Sequence, residues 1–132
     1  MIILGIDYGD RKIGLAICDE LEISVAAMQL LRIKNENEAL VKVLKYLAEL
    51  HTKEVVIGMP SNWEGKGTRQ SLKVKTFAEK LQTKGIKVHL WDENYSTKTV
   101  ETGLRGKKRK NSDSLAAKLI LEEFLAHKQS GI

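Results

Sequence analysis

Three acids in this chain stand where rigid elements end. Asp7 closes the apolar run Ile2-Ile3-Leu4-Gly5-Ile6, Glu93 follows the run Ile86–Trp91 after Asp92, and Asp113 follows Ser112 at the start of a helical pattern. A carboxylate at the rim of a covered strand costs free energy unless it is paired or bound to a cation. Three of them brought to one edge repel one another unless cations lie between, and hard oxygen donors suit Mg²⁺ or Mn²⁺. Two such ions about 4 Å apart can hold a phosphodiester, activate water and stabilise the leaving oxygen. The chemistry expected of Asp7, Glu93 and Asp113 as ligands and catalytic groups is metal-dependent phosphodiester cleavage. The block Arg105-Gly106-Lys107-Lys108-Arg109-Lys110 immediately precedes Asp113 and would contact a phosphate backbone. Arg11 and Lys12 after Asp7, and Arg69 and Lys73 further on, are additional candidate contacts. Each feature also has a plainer reading: a solvated turn acid, a favourable charge in a first helical turn, an exposed basic loop. Alternation along the strand does not separate Asp92 from Glu93.

The elements that would carry these groups can be read from periodicity. Ile2–Asp7, apolar on both faces, is expected as a central strand. Ile13–Cys18 reads as a second strand, Asp19–Glu22 as a polar turn, and Ile23–Ile33 as a third, giving an antiparallel meander. Asn35 with Glu38 resembles a capping box. Leu40, Val43, Leu44, Leu47 and Ala48 continue a helix to about Leu50. Glu54–Gly58 is a fourth strand, to lie parallel to a neighbour after the crossover helix. A loop follows from Gly58 to Gly67. Val74, Phe77, Ala78 and Leu81 mark a helix capped by Gly85, and Ile86–Trp91 is a fifth strand. Ser96 or Thr97 opens a short helix that stops near Gly103. A last helix runs from about Asp113 to His127, with Ala116, Ile120, Leu121 and Phe124 on its apolar face. The order βββαβαβαα describes an α/β mixed sheet covered by helices. If the fourth strand lies between the first and fifth, Asp7 and Glu93 start about 10 Å apart.

Composition sets the bounds. With 132 residues, 42% hydrophobic and 30% charged, the chain is expected to be a single domain, 1–132, with a real core. No apolar run approaches the roughly 20 residues that span a bilayer, and the opening lacks a basic n-region, so a cytoplasmic protein is expected. The lone Cys18 fits a reducing compartment and excludes an internal disulfide. The net charge of +5 is compatible with a polyanionic partner. His51, His89 and His127 lack metal-ligand spacing, and His89 reads as a packed or surface histidine. Trp63 reads as a loop anchor and Trp91 as core. Asp7-x-Gly9 with Gly14 also resembles the phosphate loop of sugar kinases and actin-like ATPases, but those need two lobes, and this length supplies about one domain. A non-catalytic nucleic-acid module is the other alternative.

Taken together, Asp7-Tyr8-Gly9 with Arg11 and Gly14, Gly58-Met59-Pro60 with Gly65, Trp91-Asp92-Glu93 with Ser96-Thr97, and Lys107-Lys108-Arg109-Lys110 with Asp113, Ala116-Ala117 and Ile120-Leu121 resemble the YqgF family. These are small bacterial proteins described as pre-16S rRNA nucleases or Holliday junction resolvases. The resemblance covers nearly the whole chain. It implies an RNase H-like five-stranded mixed sheet of order 3-2-1-4-5, and the acidic site Asp7, Glu93 and Asp113, choosing Glu93 over Asp92. It also implies site loops containing Gly9, Gly58, Pro60 and Gly65. The implied role is cytoplasmic maturation of the 5′ end of the 16S rRNA precursor, with structured RNA or branched DNA as substrate and ribosomal precursor particles as partners. Junction cutting would favour a homodimer, whereas end-trimming needs only a monomer. Two positions depart from the family pattern: the stretch between Thr97 and Asp113 is short, and Asn94 stands where arginine is frequent.

Overall fold

The structure is a computed structural model that describes residues 1–59, 69–92 and 115–129. Its elements are β1 (Leu4–Tyr8), β2 (Lys12–Cys18), β3 (Val25–Ala27), β4 (Leu31–Arg32), α1 (Glu36–Leu50), β5 (Glu54–Met59), α2 (Arg69–Thr83), β6 (Lys87–Asp92) and α3 (Leu115–Gln129). Among the described residues the sheet has six strands, ordered β3-β2-β1-β5-β6, with β4 also pairing β2. β1 is antiparallel to β2 and parallel to β5, and β5 is parallel to β6. The mixed sheet and the central place of the opening strand match the sequence expectation.

The expected five strands become six because the third does not run unbroken from Ile23 to Ile33. Ala16 faces Ala27, but Ile13 faces Leu31. Gly14 and Leu15 of β2 therefore stand opposite three residues, Met28, Gln29 and Leu30. This is a one-residue bulge, which breaks the ladder and reverses the facing of everything beyond it. It turns Leu31 and Ile33 toward the core, where Ile33 is buried and Leu31 half-buried. The Met28 N–H still reaches the Leu15 carbonyl at 2.7 Å.

Two layers of side chains cover the sheet. Leu4, Ile6, Tyr8, Val55, Ile57 and Met59 pack against Val43 and Leu47 of α1 and Phe77 and Leu81 of α2. On the other face Ile3, Ala16, Cys18 and Val56 pack against Ala117, Ile120, Leu121, Phe124 and Leu125 of α3. Ala116, expected on the apolar face, is exposed, and Ala117 takes its place. Each large apolar side chain buried this way contributes about 1.5–3 kcal/mol.

The helix ends follow local chemistry. Asn35 caps α1, its side-chain oxygen accepting from the Glu38 N–H at 2.8 Å, while Glu38 accepts from the Lys34 N–H at 2.7 Å. Such a cap is worth about 1 kcal/mol. Gly85, after α2, has φ +86°, the left-handed conformation that favours glycine. The expected short helix from Ser96 or Thr97 and the cap Ser112 lie outside the described residues.

Candidate active site

Asp7 lies next to last in β1, on the face covered by α3, and is half-buried. Burial holds its carboxyl above the ordinary value of 3.8, because desolvation penalises the charged form. Among the described residues its side chain has no hydrogen-bond or ion-pair partner. The antiparallel register sets Asp7 opposite Gly14. On the other side the register Ile6↔Ile57, carried one residue on, sets it level with Gly58, which itself pairs with Trp91. The carboxylate thus stands between two residues without side chains. Gly58 was a sequence candidate. The in-sheet role of Gly14 was missed, because only the pairing register shows it.

α3 is seated close to this strand. A Cβ on Gly5 would meet the Leu121 Cβ at 3.0 Å and the Ala117 carbonyl oxygen at 3.1 Å. Lys128, near the C-terminal end of α3, reaches Glu22 at 3.1 Å, and Glu22 also pairs with the amine of Met1 at 3.4 Å. The N-terminal end of α3 therefore points toward the end of the sheet that carries Asp7.

The turn after Asp7 depends on Gly9. Its N–H donates to the Lys12 carbonyl at 3.0 Å, and a Cβ there would sit 2.8 Å from the same oxygen. Arg11 and Lys12 are exposed on this turn. Lys73 reaches Asp10 at 2.6 Å. Arg69 lies in the first turn of α2. Pro60, Gly65, Glu93, Arg105, Lys107, Lys108, Arg109, Lys110 and Asp113 lie outside the described residues. Among the described residues, no three His, Cys, Asp or Glu side chains group as a metal site.

The residue after Asp7 faces the opposite way. Tyr8 stacks on Phe77 with ring centroids 4.4 Å apart, and burial, Glu36 and Asp10 push its phenol up to about 12. It is a core group. His89, as expected, is a packed histidine: its Nε2 lies 2.7 Å from Glu54 Oε2, and its ring lies 4.8 Å from that of Phe124.

Residues 1–127 match the family model described as RuvX: Holliday junction resolvase. A Carboxydothermus hydrogenoformans protein named "Putative pre-16S rRNA nuclease" is 38% identical over 135 residues, covering 97% of this chain and 98% of its own. A protein of the same name from Desulforamulus reducens is 32% identical, covering 95% and 96%. In structure, the Thermus thermophilus RuvC bound to a Holliday junction substrate aligns with a TM-score of 0.63 at 12% identity, over 98% of this chain and 96% of that one. The fowlpox virus Holliday junction resolvase aligns at 0.58 and 14%, over 96% and 99%. These likenesses show the RNase H-like fold, and the sequence matches show that the chain belongs to the RuvX family.

Proposed function

We propose that this protein is a metal-dependent nuclease that hydrolyses phosphodiester bonds in processing the 5′ end of the 16S rRNA precursor. The observation that carries the reading is Asp7: a carboxylate desolvated by burial, without a partner among the described residues, and flanked across the sheet by glycines. A hard oxygen donor in that state fits a divalent cation such as Mg²⁺ or Mn²⁺. The family match supports the nuclease reading, and the names of the relatives supply the substrate class.

Asp7, Glu93 and Asp113 are the residues that would hold the metal, two ions in the full site. Glu93 follows Asp92, the last residue of β6, which pairs with Met59 one row beyond Gly58. Asp113 stands two residues before α3 in sequence, and the N-terminal end of that helix points toward Asp7's end of the sheet. When bound, the ions supply an activated water and stabilise the charge on the leaving oxygen. The chain itself fixes Asp7 on its central strand, keeps side chains from the two flanking strands away from the carboxylate, and presents Arg11 and Lys12 on the adjoining turn. Lys107, Lys108, Arg109 and Lys110 with Arg105 complete the backbone contacts, while Arg69 and Lys73 are secondary. The domain acts in the cytoplasm on ribosomal precursor particles, as a monomer or homodimer and without a membrane. The family description favours a second substrate, a four-way DNA junction.

One assay tests both substrates. The protein and its Asp7→Asn variant are incubated with precursor 16S rRNA ends and with four-way junctions, in Mg²⁺ or Mn²⁺. The wild type is expected to cut the RNA end and the variant to cut neither. Full activity in the variant overturns the site, and junction cutting alone replaces the rRNA substrate with DNA. Salt-sensitive binding without cleavage in any metal makes the protein a non-catalytic module.

A further inference from the structure

Lys12 and Arg32 stand directly opposite each other across the β2–β4 ladder. Both are exposed, and neither has an acidic partner among the described residues. Like charges facing each other across strands are destabilising, so the pair is not explained by the stability of the sheet. Its place is informative. Side chains alternate along a strand, so Lys12 shares a face with Gly14, and Gly14 is the residue opposite Asp7. Arg32, paired with Lys12, shares that face too. The two cations form a rim on Asp7's side of the sheet, at Asp7's end.

The bulge is what brings Arg32 there. In the register that β3 keeps with β2, where Ala16 faces Ala27, Lys12 would face Leu31, and Arg32 would turn toward the core. The extra residue at Met28–Leu30 slips the register by one, sending Leu31 inward and Arg32 outward beside Lys12. Bulges often re-aim a side chain near a site. Here one insertion fills the core and places a second cation beside the first.

We propose that Arg32, with Lys12, anchors backbone phosphates of the bound nucleic-acid strand to one side of the scissile bond, so that the strand leaves the site across the β2–β4 edge. This rests on the nuclease reading above. Two strand spacings and two residues of strand rise put the Arg32 Cα about 12 Å from that of Asp7. The anchored phosphate therefore lies a few nucleotides at most from the one being cut. The contact is to phosphate and therefore reads no sequence. RNA and DNA present the same group there, and the two arms of the test separate them. Arginine suits the role, because its planar fork can hold a phosphate through two parallel N–H groups.

The test is equilibrium binding of labelled precursor 16S rRNA ends and four-way junctions in EDTA, by fluorescence anisotropy, across a series of salt concentrations. Arg32→Gln is compared with wild type, with Arg32→Lys, and with Lys53→Gln, an exposed lysine immediately before β5 at the opposite end of the sheet. Arg32→Gln should weaken binding roughly tenfold, as expected for a lost charged hydrogen bond. It should also flatten the slope of log K against log salt by about 0.7–0.9, one phosphate contact. Its Tm should match or exceed that of wild type, because a like-charge pair has been relieved. Arg32→Lys should recover most of the slope, and Lys53→Gln should bind as wild type does. If Arg32→Gln keeps wild-type affinity and slope while the wild type binds in a salt-dependent way, the anchor is overturned and the nuclease reading stands. If the wild type binds neither nucleic acid, the nuclease reading fails and the anchor with it.

Discussion

Asp7 and Glu54 are carboxylates on the same face of the same sheet, at opposite ends. Asp7 sits near the end of β1 and Glu54 at the start of β5. The Glu54 side chain is the more enclosed, at 11% exposure, yet it is satisfied by His89 at 2.7 Å, and His89 packs in turn on Phe124 of α3. Asp7 is desolvated with no such partner among the described residues, and its neighbours across both strands are glycines. Folded proteins satisfy their buried polar groups, so an exception asks for a reason. Among the described residues, one end of the sheet satisfies its own carboxylate and the other does not.

The largest effect should come from removing the charge at the unsatisfied end. Asp7→Asn keeps the shape of the side chain and abolishes a hard anionic donor. Cleavage should fall by more than about 100-fold, beyond the loss typical of disturbing a metal's outer shell, while nucleic-acid binding in EDTA is largely kept. Turnover and anisotropy measured on the same preparation check this, and a variant that cuts at the wild-type rate erases the distinction between the two acids.

The satisfied end should respond in stability instead. Glu54→Ala leaves His89 without its partner and opens space beneath α3. Leaving a buried group without its hydrogen-bond partner costs about 1–3 kcal/mol, so a loss of about 2 kcal/mol is expected, read by urea unfolding. The fraction that remains folded should cleave normally. Loss of cleavage at unchanged stability would place Glu54 in the site.

Gly5→Ala probes the seam that joins the two ends. The added methyl meets Leu121 and the Ala117 carbonyl at 3.0–3.1 Å, so α3 must shift. Overpacking of this kind costs about 1–3 kcal/mol. Because Asp113 precedes α3 in sequence, cleavage should fall along with stability, unlike in Glu54→Ala. Parallel melting and cleavage measurements would show whether α3 transmits its position to the site.

Local features of this arrangement were legible in the sequence, and pairwise ones were not. The Asn35–Glu38 cap, the left-handed Gly85 and the apolar central strand ending in an acid each depend on a few neighbouring residues, and each appears where expected. The bulge was invisible because Val25, Leu31 and Ile33 read as one apolar run, and only pairing with β2 reveals the extra residue. Arg32 was overlooked for the same reason, since its facing is set by a partner 20 positions away in the register with Lys12. The Glu54–His89 pair joins residues 35 apart, and the sequence supplied only an isolated histidine. Lys73 looked free until the fold brought Asp10 to it. Glu93 was separated from Asp92 by family resemblance, because alternation alone could not decide between them.

The finest test of the comparison is thermodynamic and needs no substrate. Above its raised native pKa, Asp7 is charged in a place that disfavours charge. Between 3.8, its ordinary value, and that raised value, the native state binds the proton more tightly than the unfolded chain does. The contribution of Asp7 to stability therefore falls as pH rises through that window, and its full cost is present above it. In EDTA the Tm of the Asp7→Asn variant should gain on that of wild type as pH rises from 3.8 through that window, and the gain should vanish as pH falls back toward 3.8. A divalent ion bound at Asp7 should offset the cost. At ten times its dissociation constant it stabilises by about 1.4 kcal/mol, a shift of roughly 4 °C for a domain of this size. Mg²⁺ or Mn²⁺ should raise the Tm of wild type and of Glu54→Gln by similar amounts, and leave Asp7→Asn where it was. An equal rise in Asp7→Asn would mean that the ion binds elsewhere, and that the unsatisfied carboxylate at the end of β1 is not a metal ligand.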